Sequence, residues 1–137
     1  MLNIEKLEAI VSYYAKRVTN LYKVKLMKML WYTDVISFRE TNASMTGLVY
    51  LHEAMGELPV GLYKIMGLES VCVQEEGFDH KRYHVFPNKL LDENALSDAE
   101  KEILDAVIGK FNAYTAEEIV EYMHNEAAYL DTNDNES

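Results

Sequence analysis

The segment YKVKLMKMLWYTDVISFRE, residues 22–40, is apolar on more than one side, and this constrains the fold more than any other stretch of the chain. Leu26, Met29, Leu30 and Ile36 lie towards one face of a helix, while Met27, Trp31, Val35 and Phe38 line another. A surface helix needs only one apolar stripe, so a helix this broadly apolar has to be covered from several directions. The spacing therefore predicts a central helix over residues 22–41. Lys23, Lys25 and Lys28 fall in its first turns, where they oppose the helix dipole. They read as solubilising groups on its outer side.

The neighbouring segments supply the cover. Ile4, Leu7, Val11, Tyr14 and Val18 recur at spacings of three and four, which predicts a helix over 3–18 with one buried stripe, broken at Asn20. Gly47 with Leu48, Val49 and Tyr50 reads as a short extended piece. Gly56 and Pro59 read as the limits of a turn, with Pro59 opening a short helix, PVGLYKIM, that turns Leu62, Ile65 and Met66 inward. SVCVQ and RYHVF both alternate, and EEGFDHK between them carries turn residues, so a β-hairpin is expected there. Ser97 with Glu100, and Thr115 with Glu118, form two capping boxes ahead of apolar runs. The expected fold class is α+β, predominantly helical: one compact domain over residues 1–132, with about five helices and a small hairpin or short antiparallel sheet. Residues 133–137 read as a frayed polar tail.

Composition narrows the function classes. At 137 residues and 49% apolar, the chain can bury a core without staples. Cys72 is the only cysteine, which excludes an internal disulfide and a cysteine-built zinc site. No apolar run reaches the roughly 18 residues of a bilayer span, and the start lacks a signal-peptide pattern, so a soluble cytoplasmic protein is expected. The net charge of −10 is uneven. Residues 1–41 carry seven Lys/Arg against four Asp/Glu, a net of +3; residues 92–137 carry two against thirteen, a net of −11. An acidic total argues against nucleic-acid binding through a broad basic surface. It favours either a solvated acidic face or a basic protein partner.

Constellations with catalytic or metal chemistry are weak. His52 and Glu53 open like a zinc-protease helix, but position 56 is Gly rather than His. His80 and His84 share a strand face about 13 Å apart, too far to chelate one ion unless the turn folds them together. His124 falls at a helix end, where it can satisfy free carbonyls. No phosphate loop, nucleophile elbow or Cys–His pair is present, and Glu75–Glu76 and Glu117–Glu118 sit where acids are structurally expected. No catalytic, metal or cofactor residue is assigned. Ten tyrosines and seven methionines are many for this length, and both types are favoured where proteins meet. Trp31, Tyr32, Tyr50, Met55 and Tyr63, clustered around the least regular segment, are the candidate partner-binding residues. A role in the core is the alternative for each. His52 joins them as a hydrogen-bonding interface residue.

Three segments, KVKLMKMLWYTDVISF, SMTGLVYLHEAMGELPVGLYKIM and EEIVEYMHNEAAY, resemble in order and spacing the Panacea domain. This is the SocA-like antitoxin domain of bacterial and phage toxin–antitoxin operons. Its K-L-x-K-L-L-(W/Y)-Y-(A/T)-D helix is matched by Lys25 to Asp34. Its T-G-(L/P)-x-Y-x-x-x-x-x-G-x-(L/V)-P segment is matched by Thr46 to Pro59. Its closing His-(N/E)-Glu-x-x-(W/Y) element is matched by His124 to Tyr129, which adds His124 to the candidate partner-binding residues. The resemblance implies a small, mostly helical, non-enzymatic domain that neutralises a cognate toxin by direct binding. For the founding type it also implies delivery of the toxin to a cytoplasmic protease, and a homodimer is compatible with it. Several relatives carry an N-terminal helix-turn-helix that represses the operon; no such segment stands ahead of residue 3, so the chain reads either as a stand-alone domain or as the C-terminal part of a longer protein, and autorepression is not expected of it alone. The alternative from another class is a DNA-binding regulator, for which the Lys23–Lys28 stretch is the one basic surface on offer.

Overall fold

A computed structural model describes residues 3–53, 56–59, 71–77, 82–87, 93–115, 117–119, 121, 122 and 125; within the strands, side chains are described for Tyr50 and for residues 83–87. Helix α1, Ile4–Arg17, starts at Asn3, whose Oδ1 accepts the Lys6 amide at 3.1 Å. It ends where Val18 turns extended and Asn20 takes a left-handed φ of 55°. The expected single stripe is too narrow a description. Ala9 to Ala15 are all buried, whereas Ile4, at the exposed first turn, faces solvent.

Helix α2, Lys23–Thr41, is the central element. Six successive residues, Lys25 to Leu30, are buried, followed by Tyr32, Thr33, Asp34 and Ser37. Consecutive burial is possible only when neighbours cover the whole circumference, and here β2 (Gly56–Pro59), β4 (Arg82–Pro87) and α3 (Asp98–Phe111) do so. Two details correct the sequence reading. Lys25 and Lys28 are 2% and 0% exposed, so their aliphatic stems belong to the interior and only Lys23 of the three reaches the surface. Phe38 is 54% exposed although Ser37 beside it is buried, so this last part of α2 keeps only one face inside.

Strands β1, Tyr50–Glu53, and β2, Gly56–Pro59, pair antiparallel, with Glu53 opposite Gly56 and Tyr50 opposite Pro59. Gly56 and Pro59 are therefore strand residues rather than the limits of a turn. Pro59 is the last residue of its strand in a two-stranded sheet, and an edge strand is where a proline is tolerated. The helix expected over residues 59–66 lies, beyond Pro59, outside the described residues. The extended piece begins at Tyr50 rather than Gly47, because the backbone of residues 45 and 46 is turned towards Asp34.

The expected second hairpin is present. Strand β3, Val71–Glu76, pairs with β4, Arg82–Pro87, in the register Val73 opposite Val85. It is tied to the α1–α2 connection by a Tyr22–His84 bridge and by the Val85 amide, which donates to Leu21 O at 2.7 Å. A 3-10 turn, Glu93–Ala95, leads to α3, Asp98–Phe111. Both halves of the capping box form there: Ser97 Oγ accepts the Glu100 amide and Glu100 accepts the Ser97 amide. Unlike α2, this helix buries a single stripe, Ile103, Leu104, Val107 and Phe111. The second box, Thr115 with Glu118, also forms and begins a further helical segment. The architecture is thus α+β and predominantly helical. Among the described residues no helix is long and apolar enough to cross a membrane. The tail 133–137 lies outside them.

Candidate functional site

Two places in the fold concentrate polar chemistry. The first is built on Asp34. Its Oδ1 accepts the Met45 and Thr46 amides, each at 2.9 Å, and its Oδ2 accepts the Thr46 hydroxyl at 2.5 Å and the Tyr50 hydroxyl at 2.6 Å. One buried carboxylate thus receives four donors, three from the loop after α2 and one from the first residue of the strand Tyr50–Glu53. That satisfaction is the condition for keeping a charge inside a protein. Thr46 Oγ1 accepts the Leu48 amide in turn, and Gly47 supplies the left-handed turn at φ 76°. Burial, followed by the charge of Asp34, pushes the Tyr50 phenol well above its ordinary range. One residue earlier, Thr33 donates to Met29 O, so the Tyr14 hydroxyl must be the donor to Thr33 Oγ1 at 2.6 Å. This network is a clamp: it fixes the approach to β1 on the surface of α2.

The second place is a cleft of about 710 Å³ between the α1–α2 connection, β4 and the end of α3. Its walls include Thr19, Tyr22, Lys23, Tyr83, Asn112 and Tyr114. The Lys23 ammonium lies 4.6 Å from the centre of the Tyr83 ring, a cation–π distance. Tyr22 packs on His84 at 4.5 Å, and His84 stacks on Phe86 at 3.9 Å. At the floor, Lys25 Nζ donates to Asn112 O at 2.8 Å, just past the end of α3, where a cation complements the helix dipole. Burial lowers the Lys25 pKa, and the charge of Glu118 opposes that shift. Asn112 Oδ1 accepts the Thr19 amide at 3.2 Å, so one residue joins both walls.

The residues singled out from the sequence are dispersed. Tyr32 is 7% exposed and packs edge-on against Phe111 at 5.1 Å and Tyr122 at 6.2 Å. Trp31 is half-buried beside it, with ring centres 6.5 Å apart. Tyr50 is half-buried with its hydroxyl on Asp34. His52 is placed in β1 opposite Glu57, by its backbone alone. Met55, Tyr63 and His124 lie outside the described residues. Of the histidine pair considered for a metal, His84 is an aromatic stacking partner and His80 lies outside the described residues. Among the described residues no three His, Cys, Asp or Glu side chains converge.

Sequence reasoning missed the cleft. Tyr22, Tyr83 and Tyr114 are far apart in the chain, and the Tyr22–His84 bridge, the Val85–Leu21 hydrogen bond and the contacts of Asn112 after α3 bring them together. The excess of tyrosine was the single visible signal, and it carried no positions.

The fold and these two places define a small helical α+β domain whose polar residues hold a surface in shape. Two of the sequence segments that resembled a known domain converge on the first place: Asp34 closes one, and Thr46, Gly47 and Tyr50 open the next. The chain belongs to the family described as antitoxin SocA-like, Panacea domain, which matches residues 26–129. Comparison with curated proteins and with solved structures finds no match.

Proposed function

We propose that this chain is a non-enzymatic antitoxin that neutralises a cognate toxin by binding it directly and covering its active surface. The observation that carries this reading is the family match over residues 26–129. The structure supports it in physical terms. The Asp34 carboxylate is occupied by four donors, a holding role, and the half-buried aromatics Trp31, Tyr114 and Tyr122 are of the type that anchors protein interfaces. The net charge of −10 favours a toxin that is basic overall and speeds its encounter. Presentation of the bound toxin to a cytoplasmic protease is a further step of the same reading. DNA binding is the weaker alternative, since burial of Lys25 and Lys28 leaves Lys23 as the only surface cation of the stretch it depends on.

The test is co-expression with the product of a reading frame that abuts this gene and is toxic when expressed alone. Growth is restored and the two proteins co-purify as a stoichiometric complex if the reading is right. Persistent toxicity with no complex refutes it. Tight, sequence-specific DNA binding by this chain alone at moderate salt would replace it with the regulator.

A further inference from the structure

Charge is distributed against the grain of the molecule at one place. The chain holds 23 acidic side chains against 13 basic ones, yet the cleft beside the α1–α2 connection is lined, among the described residues, by two lysines and no acid. The two lysines differ in role. The buried Lys25 ammonium is held by Asn112 O and faces Glu118. Lys23 is the cation presented to the open space, held over the Tyr83 ring.

The cleft also carries a donor-rich rim. The phenols of Tyr22, Tyr83 and Tyr114 combine a large apolar ring with a hydroxyl. Rigid aromatic surface next to a cation is the composition of interface anchor pockets. At about 710 Å³ the space holds two or three side chains of a bound segment. A uniformly basic partner would bring like charge against Lys23, whereas a carboxylate there gains both the ammonium and phenol donors.

We propose that this cleft is the anchor pocket for a carboxylate-bearing segment of the toxin, an acidic side chain flanked by apolar ones, seated between Lys23, Tyr83 and Tyr114. This rests on the antitoxin reading and adds the chemistry of the contact. The partner then has a two-part charge pattern. It is basic at large, to match the acidic chain, with one acidic insertion that docks in the cleft. The global field sets the encounter and the local reversal sets the register, which discriminates against toxins that are merely basic.

Lys23→Glu separates the two effects by sign. It makes the chain more acidic, so attraction of a basic toxin at large predicts tighter binding. The anchor pocket predicts weaker binding, because the carboxylate of the toxin then meets another. The substitution also places an acid in the first turn of α2, where it suits the helix dipole, so loss of fold is not its expected consequence. The experiment uses the full chain and the product of the adjacent toxic reading frame, with affinity by calorimetry and melting temperature of each variant. Expected are a loss of affinity of about tenfold or more for Lys23→Glu, a similar loss for Tyr114→Ala, and an unchanged or raised melting temperature for Lys23→Glu. Replacing the docked acid of the toxin by Lys restores binding to the Lys23→Glu chain and to no other. Wild-type binding with an equal or tighter Lys23→Glu complex overturns the pocket and leaves the antitoxin reading standing. Failure of the wild-type chain to bind overturns both.

Discussion

Replacing Asp34 by Ala removes the acceptor for four hydrogen bonds and strands their donors. The Met45 and Thr46 amides and the Thr46 hydroxyl are buried; the Tyr50 hydroxyl is on a half-buried side chain and can turn towards water. A hydrogen bond to a charged group contributes about 1.5–3 kcal/mol, and a stranded buried donor costs about 1–3 kcal/mol. These terms overlap, and the loop relaxes in part, so the expected loss is about 3–5 kcal/mol. That is a large part of the roughly 5–15 kcal/mol that holds a domain together. Asp34→Asn keeps an oxygen for the two amides and offers an NH₂ that the Tyr50 and Thr46 oxygens can accept, so it should cost only about 1–2 kcal/mol. Tyr50→Phe removes one bond and should cost about 1 kcal/mol. Urea denaturation measures all three, with the slope checked for constancy so that midpoints convert to free energies. Hydrogen exchange at the Met45 and Thr46 amides reports whether the clamp opens locally first. A loss of less than about 1 kcal/mol for Asp34→Ala, or an Asn variant as damaged as the Ala one, would refute the clamp. The second outcome would mean that charge, rather than the arrangement of acceptors, holds the loop.

Alkaline pH should unfold the domain. Tyr13 is pushed up to about 12, mainly by burial and by its hydrogen bond to Asp105, and burial also raises Tyr14, Tyr32 and Tyr50. The folded chain keeps protons that the unfolded chain releases near pH 10, so this stability is complete below about pH 10 and is lost above it. Each such tyrosine contributes a slope of up to about 1.4 kcal/mol per pH unit. Lys25, lowered by burial, works in the opposite sense, whereas Lys110, raised by its hydrogen bond to Tyr122, acts with the tyrosines, so one group opposes five. A melting temperature that stays flat from about pH 10 to 12 while phenolate absorbance rises would contradict the assignment. Tyr32→Ala should remove about 3 kcal/mol or more, because the ring is enclosed by Phe111 and Tyr122, whereas the half-buried Trp31→Ala should cost less; equal effects by thermal melting would place both rings alike. Ser12 Oγ is buried with no hydrogen-bond partner among the described residues, so Ser12→Ala should raise stability by about 1 kcal/mol, and a lowered urea midpoint would show that the hydroxyl is satisfied.

Much of the architecture was legible because it rests on local rules. Period-3.6 patterns located α1, α2 and α3; alternation located β3 and β4; both capping boxes form as written, since each needs only residues three apart. The errors share one cause. Polarity alone puts Lys25 and Lys28 outside and Phe38 inside, but burial is decided by which neighbour covers a face, and a lysine is buried when its stem is covered and its ammonium finds a partner such as Asn112 O. Gly56 and Pro59 have the local character of breakers, whereas pairing with β1 makes them strand residues.

The sequence by itself determined the helices, the hairpin after residue 70, the acidic balance and the family, because periodicity, caps and motif spacing are properties of neighbours along the chain. Only the tertiary structure decided that Asp34 gathers Thr46 and Tyr50, and that Tyr22, Lys23, Tyr83 and Tyr114 enclose one cleft. Those groupings depend on which segments meet in space, and no local pattern encodes a contact across sixty residues.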